Sequence, residues 1–91
     1  MNKPYLQLTE LLAGLAEECS ELAQAALKLR RVYDGTNPTP TQEDVAIEHF
    51  EEEIADVNLY LKQINYSHAN VMNIMQEKDE RWKNRIGHGG D

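Results

Sequence analysis

The chain is poor in most of the devices that staple small domains or carry them into membranes. Its one cysteine, Cys19, excludes an intrachain disulfide and leaves no Cys/His metal pattern. No apolar run approaches the roughly 18 residues that a membrane-spanning helix needs, so no membrane partner is expected. Cations are scarce: 9 Lys plus Arg stand against 16 Asp plus Glu, for a net charge of −7. A nucleic acid polymer is therefore a poor partner, because little here can neutralise its phosphates. The start, MNKPYLQLTE, lacks an apolar stretch after its lysine, so a signal peptide is not expected and a cytoplasmic location is. Proline and glycine gather mainly in DGTNPTP at 34–40 and GHGGD at 87–91. The first reads as a connection. The second reads as a flexible tail, 87–91, behind a single domain at 1–86.

What remains is helical in period. Leu8, Leu12, Leu15, Cys19, Leu22, Ala26, Leu29 and Tyr33 recur at steps of three and four, which predicts one helix from about Pro4 to Tyr33 with a buried thiol at Cys19. Asp34-Gly35 should stop it. Thr39 as cap, Pro40 as first helical residue and Gln42 in the third place predict the start of a second helix. Its face would carry Val45 or Ala46, Phe50, Ile54, Val57, Leu61 and Ile64. Ser67 should cap a third helix reaching about Arg85, with Gly87 ending it. Leu6, Leu11, Leu27, Val32, Leu59 and Tyr60 lie off these stripes, more apolar surface than a thin three-helix chain can cover. The expected fold is all-α: a helical hairpin plus a third helix, assembling into a four-helix bundle as a homodimer or homotetramer.

The acids are placed unevenly. EECSELAQ at 17–24 sets Glu18 and Glu21 three residues apart, on one side of the first helix, with Glu17 beside them. EEEIAD at 51–56 puts Glu53 between Phe50 and Val57 on the apolar face, with Asp56 at its margin. Exposed acidic pairs are common and EEE runs often serve only solubility, which suits Glu51 and Glu52. A carboxylate on an apolar face is costly unless a cation compensates it. Two antiparallel helices can bring Glu18 and Glu21 opposite Glu53 and Asp56. Four hard oxygen donors converging there suit Mg²⁺, with Mn²⁺ as a substitute. On the third helix Lys78, Arg81 and Arg85 recur at steps of three and four and make one basic face, a counter-charge for phosphate or for acids of a partner chain. Trp82 suits interface packing, and His49 stands one turn before Glu53.

The ordered pair E18-C-S-E21 and E53-I-A-D56, inside EECSELAQAALKL and FEEEIADVNLYL, resembles the signature of the all-alpha nucleoside triphosphate pyrophosphohydrolase superfamily, and within it the MazG-like branch. The likeness spans roughly residues 10–85. It implies Mg²⁺ held by Glu18, Glu21, Glu53 and Asp56, and hydrolysis of a nucleoside triphosphate between its α and β phosphates to a monophosphate and pyrophosphate. It also implies Lys78, Arg81 and Arg85 as candidates for the phosphates and Asn73 for sugar or base; for such a reaction Glu21, or Glu17 beside it, is the expected proton acceptor. The competing expectation is a non-catalytic helical module, oligomeric or regulatory, whose acids are surface charge alone.

Overall fold

A computed structural model describes residues 7–36 and 42–89, and these form three helices and no strand: α1 (Leu8–Asp34), α2 (Glu43–Gln63) and α3 (His68–Gly89). The start of α1 is tied by Glu10, whose carboxylate accepts the Gln7 N–H at 2.9 Å. Gln7, extended at φ −66°, ψ 155°, is the cap, so α1 begins at Leu8, four residues later than expected; Pro4 itself lies outside the described residues. At the other end Gly35 takes the left-handed conformation, φ 77°, and Asp34 accepts both the N–H and the hydroxyl of Thr36. That is the expected stop, and glycine is what allows it.

α2 begins later than expected. Gln42, extended at φ −69°, ψ 142°, is its cap rather than its third residue, and Glu43 and Asp44 fill the first turn, where the helix dipole favours them. Thr39 and Pro40 lie outside the described residues. α2 ends at the extended Ile64, and Ser67 caps α3 as expected: its hydroxyl accepts the Asn70 N–H at 3.1 Å. Tyr66 stacks on His68 across this corner at 4.4 Å. α3 runs through Gly87 to Gly89, past its expected end, since glycine lowers helix stability without forcing a stop.

α1 and α2 pack as an antiparallel hairpin, and among the described residues α3 packs on neither of them. The seam corrects the register of the apolar pattern. On α1 the residues turned to α2 are Leu11 and Ala25, both buried, with Leu15, Glu18, Leu22, Leu29 and Val32 half-buried. Leu11 and Val32, set aside as off-stripe, are in the seam. Leu8, Leu12, Cys19, Ala26 and Tyr33 are exposed, so the Cys19 thiol is not buried. On α2, Ala46 and Glu53 are buried, and Phe50, Val57, Tyr60, Leu61 and Ile64 are half-buried. Tyr60, also expected off the stripe, lies over Gly14: a Cβ there would overlap the hydroxyl end of its ring.

Both helices therefore carry two apolar rows. At 100° per residue the exposed row of α1 (Leu8, Leu12, Cys19, Ala26) is turned about 80° from its seam row. The second row of α2 (Ile47, Phe50, Ile54, Val57, Leu61) is turned similarly. Because the helices are antiparallel, both rotations lead to the same side of the hairpin, and the two rows lie next to each other there. The interior is correspondingly small: Leu11, Ala25 and Ala46 are the buried apolar residues among those described. The chain exposes 7400 Å², against about 5,400 Å² for a compact protein of its mass. Its radius of gyration is 17.5 Å, where about 12 Å is usual for its length.

Candidate metal centre

Midway along the seam the carboxylates of Glu18, Glu53 and Asp56 converge, each offering an oxygen within 4.8 Å of the others. Helix geometry explains the convergence. Glu18 belongs to the seam row of α1, with Leu11, Leu15, Leu22 and Ala25, and Glu53 belongs to that of α2, seven residues from Ala46 and from Tyr60. Asp56, one turn past Glu53, reaches the same point from the edge of the row. Glu53 is 7% exposed, and its Oε2 is buried with no hydrogen-bond partner among the described residues. An orphaned carboxylate oxygen beside two further carboxylates is an unfavourable arrangement for the protein alone.

Electrostatics record the crowding. The Glu18 carboxyl is held above the ordinary carboxylate value of 4.5, first by loss of solvent, then by Asp56, Glu21, Glu53 and Glu17 in that order. Every charge acting on it is negative. Octahedral Mg²⁺ places its oxygen ligands about 2.9 Å apart when adjacent and about 4.1 Å when opposite. The three acids, within 4.8 Å of one another, stand near that spacing, so a hard divalent cation fits both the donor type and the orphaned Oε2.

The other residues singled out from sequence are distributed as follows. Glu21 is exposed, outside the converging set, although its charge reaches Glu18. Glu17 is exposed in the same way. Glu17, Glu21 and Asp56 all fall on the side of the seam away from the adjoining apolar rows, so the acids open on one side of the hairpin and the apolar surface lies on the other. Lys78, Arg81 and Arg85 line a shallow depression on α3 with Trp82, and none of them forms an ion pair among the described residues. Asn73 is turned about 80–140° from these three around α3, with Gln76, Glu77 and Glu80. The four are not gathered at the acids in a single chain, nor at one point on α3.

Sequence reasoning passed over a cleft in the same seam, bounded by Ala25, Lys28, Val45, Ala46 and His49. Its signal was present. Ala25 and Ala46 each stand seven residues, two helical turns, from Glu18 and Glu53, and two small side chains facing each other leave room between helices. By sequence alone Lys28 is one more cation near the C-terminal end of a helix, where the dipole favours it. Among the described residues no helix is long and apolar enough to cross a membrane. Comparison of the chain with protein-family models, with curated proteins and with solved structures finds no match.

Proposed function

We propose that the chain is a Mg²⁺-dependent hydrolase of nucleoside triphosphates, resembling the MazG-like pyrophosphohydrolases, with Mn²⁺ as a substitute ion. The observation that carries this reading is the orphaned Oε2 of the buried Glu53, set among Glu18 and Asp56 on neighbouring helices. Acids kept only for solubility have no reason to enter a seam. Glu18, Glu53 and Asp56 would hold the ion, with Glu21, one turn from Glu18, as a further candidate ligand. When bound, the ion supplies charge neutralisation at the phosphates and acidifies a nearby water.

In the reaction a water oxygen bonds to the α-phosphorus. The bond from that phosphorus to the α–β bridging oxygen breaks, and pyrophosphate departs with the electron pair. Glu21 or Glu17, both at the open side of the seam, takes the proton from the water.

The functional form is a homodimer or homotetramer. The two adjoining apolar rows are half of a four-helix bundle, and a surplus of about 2,000 Å² over a compact chain exceeds the ~800 Å² each partner gives to a standard interface. Assembly also gives the third helix its role. Its Val71, Ile74, Met75 and Trp82 share a side with Lys78, Arg81 and Arg85, uncovered in the chain. A neighbouring copy supplies both the apolar cover and the acids that attract these cations. Asn73, turned about 80° from Arg81 around α3, is the candidate contact to sugar or base.

The test is pyrophosphate release from a panel of canonical, deoxy and modified nucleoside triphosphates, with Mg²⁺ and with EDTA, for wild type and Glu53→Gln. Metal-dependent release abolished by the substitution supports the reading. No release from any substrate, together with no saturable Mg²⁺ binding, overturns it. The exposed apolar rows and small interior would then favour a non-catalytic interaction module.

A further inference from the structure

The seam is closed on one side of the acids and open on the other. Four residues before Glu18 and four after Asp56, Tyr60 lies over Gly14 and fills the space between the helices. In the other direction Ala25 faces Ala46, and the cleft they leave has a volume of ≈ 120 Å³. A ligand lying on the acids and following the seam has this one direction to extend within it.

The cleft has chemistry suited to an anion. Its floor is the methyl groups of the buried Ala25 and Ala46, which bring no negative charge, and its edge carries the exposed Val45, Lys28 and His49 side chains. His49 is one turn, about 6 Å, before Glu53. Lys28 is two turns, about 10 Å, beyond Glu21, and helical side chains lean toward the N-terminus, so its stem points back to the acids. Lysine provides three N–H donors, and imidazole provides at least one whichever way it is protonated. Both residues fall on the side of the hairpin where Glu17, Glu21 and Asp56 open, away from the paired apolar rows. A second copy covering those rows leaves them accessible.

We infer that the cleft between α1 and α2, with Lys28 and His49 at its rim, seats the diphosphate end of the substrate and holds the departing pyrophosphate beside the acids. This rests on the metal-dependent reading above and assigns the phosphate contacts within one chain to Lys28 and His49, in addition to the basic row of α3. The nucleoside then lies outside the seam, over the exposed side of the acids.

The experiment is calorimetric titration with Mg²⁺ alone and then, in the presence of Mg²⁺, with inorganic pyrophosphate and separately with a nucleoside monophosphate, on wild type, Lys28→Ala, Lys28→Arg and His49→Ala. Both positions are exposed, so helicity by circular dichroism should be unchanged, and the charge-conserving Lys28→Arg keeps the test informative if the alanine variant unfolds. The expected result is unaltered Mg²⁺ affinity in every variant. Pyrophosphate affinity falls about tenfold or more in each alanine variant, the loss that follows removal of a charge-assisted hydrogen bond, and is largely kept by arginine. Unchanged pyrophosphate affinity in both alanine variants, with Mg²⁺ still bound, overturns this inference and leaves the metal reading standing. A loss for nucleoside monophosphate in place of pyrophosphate also overturns it, and makes the cleft a base seat. No Mg²⁺ binding by wild type ends both.

Discussion

Replacing Glu53 by glutamine keeps its shape while removing its charge, so it isolates the cost of placing that carboxylate in the seam. In the metal-free protein Oε2 is buried without a partner, beside Glu18 and Asp56. The amide that replaces it donates hydrogen bonds to those same carboxylates. Relief of one buried unsatisfied polar group is worth about 1–3 kcal/mol. A domain of this size gains roughly 4–8 °C in Tm for each kcal/mol. In EDTA, therefore, Glu53→Gln should melt higher than wild type at the same protein concentration. Mg²⁺ reverses the order. At about one hundred times its Kd an ion bound only by the folded protein adds about 2.7 kcal/mol, all of it to wild type, because the variant has lost a principal ligand. Thermal unfolding followed by circular dichroism, with and without Mg²⁺, reads both halves. A variant that melts lower than wild type in EDTA would mean that the carboxylate is satisfied in the apo protein. Equal Mg²⁺ shifts in the two proteins would mean that the ion binds elsewhere; either result refutes the reasoning.

Other consequences can be measured in the same way. The Glu18 carboxyl is raised above 4.5, so the folded protein holds its proton more tightly than the unfolded chain does. Apo stability should rise as pH falls from neutral through the folded value toward 4.5, urea melts in EDTA should show it, and Glu18→Gln should flatten the trend. Asp34 acts oppositely and lower down: the hydrogen bonds from Thr36 hold it below 3.8, and the stability it adds is lost as pH falls through that lowered value. Gly14→Ala should destabilise wild type by about 1–3 kcal/mol by displacing the Tyr60 ring. In a Tyr60→Ala background the same change should stabilise by about 1 kcal/mol, the helix preference of alanine over glycine, so a double-mutant cycle in chemical denaturation checks the contact. Leu12→Glu with Ile54→Glu, placed in the two adjoining apolar rows, should give a smaller species in analytical ultracentrifugation than wild type. An unchanged sedimentation coefficient would remove those rows from the assembly.

The helices and the converging acids were legible because each rests on local rules. Spacing of three and four placed all three helices, Asp34-Gly35 stopped the first, Ser67 capped the third, and Glu53 stood out as a carboxylate on an apolar face. What period could not decide was which of two neighbouring rows would meet α2. Leu8, Leu12 and Cys19 form as regular a series as Leu11, Leu15 and Leu22, and only the partner helix chooses between them. The start of α2 was misread because the cap signal at Thr39 and Pro40 resembles a genuine one, whereas the helix begins at Glu43. The relation of Lys78, Arg81 and Arg85 to the acids was equally beyond reach, since it depends on the angle at which α3 leaves the Ile64–Ser67 corner. The Lys28–His49 cleft is an absence of side-chain volume, and small residues advertise themselves less than large ones.

The apolar rows and the carboxylates occupy opposite sides of the same two rods. Rolling α1 about its axis to turn Leu12 toward α2 would carry Glu18 out of its place opposite Glu53. Were a second copy to cover the rows and an ion to bind the acids, a roll of α1 would be felt at both, with no hinge or loop between them.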